Sequence, residues 1–396
     1  MKKAFALVLA LVAVAAFAQT PSVSADATLT WGYDLDTDVH GFKNAYTADV
    51  TIPFAVADAE ATGEGTYGYI SLSGITFELF NDPTTGAATL GFNDTDADGY
   101  PATLEAKIIS GPFYMMVYNF TELGFNKAAD LKDGDVDLSA LIDANLAGTE
   151  LGFSNDTLSL GLVINSKGDW TTNAQNEYAI GLNATFVAIA DLLKINAGFA
   201  YDMLDASKGM GAYVTLPVTL ADVVNGLTIT PAFDLNLTSG AAALYDARVD
   251  VSLKLTEKDA KSAQSNVGLV VYYSDSDDDL ELKVSFSEAE VGGFVPYLAA
   301  SGAFEMYNLI NGAAADWKAS WSLSYKAMLD DTYYVKPYAS GTLNSADLVT
   351  LTVGVDAFVI ANTVFTAKYV SGDLTSTDAV VTNDKGDITF AAKITL

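Results

Sequence analysis

The chain has 396 residues, fifty acidic and twenty basic, giving a formal net charge of −30, with one histidine and no cysteine. That balance excludes nucleic acid and basic attachment to an anionic membrane surface, and the missing thiols exclude disulfides and a lipid anchor on cysteine. Half the residues are hydrophobic and the mean hydropathy is +0.24, which fits an acidic chain only if the apolar residues are dispersed along it.

The amino terminus reads as an export signal. Met1-Lys2-Lys3 is a basic start, residues 4–15 are an unbroken apolar run, and Ala16-Phe17-Ala18 forms an A-x-A cleavage site. A signal peptide is predicted over 1–18, with cleavage after Ala18 and a single domain over 19–396. The run is too short to span a bilayer comfortably, and Gln19-Thr20-Pro21 closes it without a stop-transfer charge cluster. No later apolar run approaches the roughly 18 residues that a membrane helix needs.

From there the sequence repeats one pattern, about ten residues of apolar/polar alternation and then a turn. Strands are predicted at 28–35, 45–55, 67–80, 102–109 and 113–120. They continue at 158–165, 177–187, 194–201, 211–220, 227–237 and 248–255. The last third gives 267–273, 280–286, 294–304, 317–325, 333–341, 348–359, 364–370 and 388–396, with weaker segments at 87–92 and 146–153. The clearest is the run from Trp317 to Lys326. Trp317, Ala319, Trp321, Leu323 and Tyr325 share one face, and Lys318, Ser320, Ser322, Ser324 and Lys326 the other. Single-chain bacterial barrels have even strand numbers, so one segment is surplus, and the short 87–92 is the one expected to drop out. The fold class is all-β: a transmembrane antiparallel up-and-down barrel of about 18–22 strands, with about 20 the best match.

Connections come in two kinds. Those at 361–362, 190–191, 221–222 and 329–332 are tight, whereas 274–279, 306–316 and 372–386 are longer and polar. Short turns at one end and longer loops at the other are expected of an outer-membrane barrel. The last strand places Ile388, Phe390, Ala392, Ile394 and Leu396 on one face, with Thr389, Lys393 and Thr395 opposite. Here the chain resembles the porin-type outer-membrane proteins, whose final strand alternates in this way. Its acidic, cysteine-free, Gly- and Tyr-rich character resembles most the porin-like barrels of spirochaetes, although Leu396 stands where such chains end in Phe. The resemblance covers the mature chain and is architectural. It implies residence in the bacterial outer membrane and recognition of the last strand by the insertion machinery.

The alternation sorts charge onto the polar face. Lys194, Arg248, Lys254, Lys283, Lys318, Lys326 and Lys368 fall there among Ser, Thr, Asn and Gly, as does Lys393. Asp234, Asp250, Glu281 and Asp356 share that side, and together these are the candidate lumen-lining residues. A charge on the lipid face near midplane costs roughly 2–4 kcal/mol, so a membrane barrel requires this sorting, though a soluble barrel would sort the same way. Tyr178, Tyr201, Tyr213, Tyr245, Tyr297, Tyr325 and Tyr338 recur near strand ends, as an interfacial aromatic girdle would place them; ordinary strand propensity also favours them there.

The acidic surplus concentrates in Asp34-Leu35-Asp36-Thr37-Asp38, in residues 130–137 and in Asp275-Ser276-Asp277-Asp278-Asp279. Such a rim would draw cations over about a Debye length. Asp94-Thr95-Asp96-Ala97-Asp98-Gly99, five residues and Glu105 fit the calcium-loop expression, with carboxylates at alternate positions, a glycine for the turn and a closing glutamate. No flanking helix accompanies it, and an acidic hairpin loop has the same composition. Calcium is therefore the one candidate cofactor, and none is required. His40 has no nucleophile near it in sequence, so no enzymatic activity is expected. Leu138, Leu141, Ile142 and Leu146 have helical spacing, within a long connection near 121–146 that either folds inward or caps the rim. The expected function is passive diffusion of small hydrophilic solutes, with a modest preference for cations. A surface adhesin or structural barrel without channel activity is the alternative, and a soluble secreted β-protein is a third reading. Lipid, solutes and cations are the expected partners, with association between copies left open.

Overall fold

Alternation becomes strand wherever the chain is described. The computed structural model describes residues 22–55, 65–81, 88–93, 103–118, 148–166, 178–190, 192–202, 210–220, 226–237, 243–255, 265–275, 279–290, 295–310, 316–346, 348–374 and 385–395. The signal peptide, residues 94–102, the 126–146 stretch and Leu396 lie outside them.

The first strands are β1 (Ser22–Asp34), β2 (His40–Ala55), β3 (Thr66–Asn81), β4 (Ala88–Asn93), β5 (Thr103–Ser110), β6 (Phe113–Tyr118), β7 (Gly148–Ser154) and β8 (Leu158–Ser166). Next come β9 (Tyr178–Ile189), β10 (Leu193–Asp202), β11 (Met210–Thr215), β12 (Val218–Thr219), β13 (Leu227–Asn236), β14 (Leu244–Lys254), β15 (Asn266–Ser274) and β16 (Asp279–Glu288). The series ends with β17 (Leu298–Tyr307), β18 (Asp316–Tyr325), β19 (Ala327–Met328), β20 (Tyr334–Asn344), β21 (Val349–Ile360), β22 (Thr363–Val370) and β23 (Asp387–Thr395).

Neighbours in sequence pair antiparallel, and β1 pairs with β23 from Asp26↔Thr395 to Asp34↔Asp387, which closes the sheet on itself. Three strands hold no wall position of their own. β12 continues β11 between β10 and β13 past Leu216-Pro217, and β19 continues β18 along β20 past Lys326. β4 and β5 lie end to end along β3, the first opposite residues 76–81 and the second opposite 66–73. The wall is therefore a closed antiparallel barrel of twenty strands. The segment predicted as surplus is the one that shares a position.

Local chemistry sets the turns. Gly111 takes φ 57 in the two-residue Gly111-Pro112 hairpin, where a side chain would be strained and Pro112 pre-sets the next residue. Asn155 Oδ1 accepts from the amides of Thr157 (2.9 Å) and Leu158 (2.8 Å), and Asp330 Oδ1 accepts from those of Thr332 (2.7 Å) and Tyr333 (2.8 Å). These two backbone donors hold the Asp330 carboxyl below its ordinary range. The up-and-down order puts every predicted tight connection at the end that bears both termini, and every predicted long one at the opposite, loop end. The connection over 255–265 is a longer one at the terminus end.

Each strand shows two unlike faces. One continuous row runs Asn183, Gly198, Tyr213, Asp234, Asp246, Ser274, Asp279 across successive strands. The adjacent row on the other face runs Leu182, Phe199, Ala212, Leu235, Tyr245. Asp234 is 2% exposed and Glu281 0%, whereas Leu182 is 45% and Phe199 43% exposed. A face that buries carboxylates is the inside of a closed wall, and a face that leaves leucine and phenylalanine open is its outside. Trp317 and Trp321 lie on that outside, with the Trp317 ring stacked on Phe304 at 5.9 Å. The girdle expectation is corrected at two positions. Tyr213 and Tyr338 lie on the inner wall, each ring laid over a cross-strand glycine, Gly198 and Gly354, where no Cβ stands in the way.

Candidate permeation path

Register places every predicted lumen residue on the inner wall. Tyr213 faces Asp234, Ala232 faces Arg248, and Thr230 faces Asp250. Further round, Tyr272 faces Glu281, Val270 faces Lys283, and Glu305 faces Lys318. Lys336 faces Asp356, and Gly354 faces Lys368. Lys194 and Lys254 lie on the same side at the terminus-end mouth, opposite Val187 in the first case and Asn266 in the second. Lys326 sits at the break between β18 and β19, at the same mouth.

Strand pairing and the turns between strands set which charged groups meet on the inner wall. Lys283 Nζ lies 2.6 Å from Glu305 Oε1, and the Tyr307 hydroxyl donates to Glu305 Oε2 at 2.6 Å. Arg248 turns onto Asp250 of its own strand, with Nε at 3.0 and 3.1 Å from the two carboxylate oxygens and Nη2 at 2.9 Å. At the terminus end one carboxylate holds two lysines: Glu290 lies 3.0 Å from Lys326 and 2.7 Å from Lys336, with the Lys326 ammonium 4.4 Å from the Tyr334 ring centroid. Burial pushes the Glu290 carboxyl up, but the hydrogen bonds and charges of Lys336 and Lys326 outweigh it and leave the group below its ordinary range. Lys393 meets Asp26 at 2.9 Å across the closing seam, and Asp26 also accepts from Thr395 at 2.7 Å.

Tyrosines tie further carboxylates to the wall. The Tyr69 hydroxyl donates to Glu105 and that of Tyr114 to Glu150. Glu105, the closing position of the calcium-loop expression, is thus a wall residue of β5 on the inner face. Its companions Asp94, Asp96 and Asp98 lie outside the described residues. Between the charges run hydroxyl pairs, Ser301 with Ser322 at 2.7 Å and Thr342 with Thr350 at 2.6 Å, which keep the wall wettable.

The sequence pattern missed Glu305, Asp246 and Glu290. Glu305 lies between Phe304 and Met306 and so shows the alternation, but its importance comes from facing Lys283 and Lys318, and cross-strand register is not written in either strand alone. Glu290 lies beyond the end of β16, where alternation has no meaning.

His40 lies on the outer face near the loop end, against Trp31 (6.4 Å) and Tyr33 (6.0 Å). That is an aromatic setting of the membrane-interface kind.

No protein-family model matches the chain, and no curated protein matches it by sequence. Solved structures do match its shape. A BenF-like porin from Pseudomonas fluorescens Pf-5 is 11% identical with a TM-score of 0.50, covering 96% of this chain and 99% of its own. OccK5 (OpdH) of Pseudomonas aeruginosa is 9% identical, also at 0.50, with the same coverage. OccK2 (OpdF) of Pseudomonas aeruginosa, solved in complex with glucuronate, is 9% identical at 0.50 with the same coverage. At such identities the likeness is one of fold: the architecture is that of a porin-type barrel.

Proposed function

We propose that the chain is an outer-membrane channel for passive diffusion of small hydrophilic solutes, with a modest preference for cations. The observation that carries this reading is the closed wall of twenty strands, apolar outside and polar inside. Barrels of about 16–18 strands already leave an aqueous channel, because side chains no longer fill the interior. An exposed, continuous apolar outer face needs lipid, and a porin-type barrel has it in the outer membrane. The Asp34–Asp38 hairpin tip and, elsewhere on the rim, Asp275 both stand at the loop end, where carboxylates concentrate cations at the mouth. Inner-wall lysines oppose that preference and keep it modest. The glucuronate held by OccK2 is an anion, so the preference here rests on this chain's own carboxylates.

Planar-bilayer recording across a KCl gradient is the test. A reversal potential on the cation side, shrinking as salt screens the rim, is expected. Absence of conductance overturns the channel, and an anion-side reversal overturns the preference.

A further inference from the structure

The charges of the inner wall are unevenly placed along the barrel axis. Toward the loop end lie Asp234, Asp246, Asp279, Glu281, Glu305 and Asp316, each within the loop-side half of its strand. Two of the cations nearest them are already held by carboxylates, Lys283 by Glu305 and Arg248 by Asp250. Among the described residues, Lys318, Lys368 and, on β2, Lys43 are the other cations in that half of the inner wall. Toward the terminus end the order reverses. Lys194 is the second residue of β10 and Lys254 the last of β14, and both are exposed with no ion pair among the described residues. Lys326, Lys336 and Lys393 lie at the same end, facing Glu290, Asp356 and Asp26. Asp156 and Asp330 in the terminus-end turns are exposed outside the wall, and Asp330 is held by its own turn amides.

We propose that the lumen is electrically polarised along its axis, so that the channel passes more current when the loop side is positive. The proposal rests on the channel reading and adds a direction to it. A membrane barrel's apolar band is about 25 Å tall, and the Debye length at 0.1 M salt is about 10 Å. The two halves therefore act as separate zones, the loop-side one enriched in cations and the terminus-side one neutral to anion-enriched. With the loop side positive, cations enter the lumen from the zone rich in them while anions enter from the other mouth, and carriers accumulate between. With the loop side negative, both ions leave the junction faster than the zones resupply them, and conductance falls.

Single channels are recorded in symmetric KCl at about 0.1 M and about 1 M. Leu374→Cys, an exposed loop-end position in an otherwise cysteine-free chain, allows orientation to be read from the side on which a bulky maleimide alters the current. The expected ratio of currents, loop side positive over negative, exceeds one at low salt and approaches one at high salt. Lys194→Glu with Lys254→Glu makes both zones acidic, so the ratio should fall to one while cation preference rises. An open channel with equal currents at both signs, a reversed ratio, or a ratio unmoved by the double substitution overturns the polarity while leaving the channel standing. A protein that folds, inserts and carries no current overturns the channel reading instead.

Discussion

Gly152→Ala tests whether the inner wall is built from tyrosines laid over glycines. Tyr114 on β6 faces Gly152 on β7, and its ring occupies the place that a Cβ at 152 would take. From that position the hydroxyl donates to Glu150, and the Lys107 ammonium sits 4.4 Å from the ring centroid. Alanine cannot share the space, yet the ring has an open lumen into which to swing, so the backbone need not move. What is lost is the set of contacts the ring makes in place. A hydrogen bond to a charged group contributes about 1.5–3 kcal/mol and an exposed cation–π contact about 0.5–1 kcal/mol, which puts the expected destabilisation at about 2–4 kcal/mol. Equilibrium urea unfolding in lipid vesicles, followed by heat-modifiable gel mobility, measures it. In a Tyr114→Ala background the same substitution should be neutral or stabilising, because glycine inside a strand costs roughly 0.5–1 kcal/mol relative to alanine. Equal destabilisation in both backgrounds would show that Gly152 is required for a backbone reason and refute the ring-over-glycine account.

Val353 faces outward and is 38% exposed in the middle of β21, whereas its neighbour Thr352 faces inward against Ser340. Val353→Lys should cost about 2–4 kcal/mol in vesicles and Thr352→Lys little; similar costs for both would contradict the assignment of faces. Glu290 titrates lower folded than unfolded, so its ties to Lys326 and Lys336 stabilise the barrel at pH above the ordinary glutamate range. That contribution disappears as pH falls through the depressed value. The stability gap between the wild type and Glu290→Gln should accordingly be full at neutral pH and close on acidification, and a gap independent of pH would show that the two lysines act only through packing.

How much of this was legible in the sequence follows from what a period of two can carry. Alternation states which residues share a face, and the placement of Lys194, Arg248, Lys283, Lys318 and Lys368 on one side of the wall is that statement made spatial. Tyr213 and Tyr338 show its limit. Both obey the alternation, but girdle membership depends on face and height together, and Tyr338 is an inward residue near the middle of β20. Gly198 and Gly354, directly across, supply the space that draws the rings inward. The β4 segment shows a second limit. Its residues alternate as a strand should, yet β3 at sixteen residues is long enough to pair with two segments in succession, so strand propensity and wall position come apart. Register, which joins Lys283 to Glu305 and Asp26 to Lys393, depends on turn lengths and on which strands meet at the seam, and neither is a property of one segment.

The choice between lipid and a second sheet, left open by alternation, is decided by closure. In a sandwich the apolar faces of two sheets meet, so the leucines and phenylalanines between them lose their exposure. Here the pairing of β1 with β23 uses the last free edges of the wall, and the apolar face is turned away from the enclosed space. Leu182, Phe199, Val284, Phe304, Leu323 and Phe390 all remain more than two-fifths exposed on that outer face, distributed round the circumference from β9 to β23. No described element covers any of this surface, and an apolar band of such extent around a soluble protein would drive aggregation. The same closure turns Asp234 and Glu281 inward, so one topological event accounts for both the oily outside and the carboxylate-bearing lumen. A membrane is the environment in which that arrangement is stable.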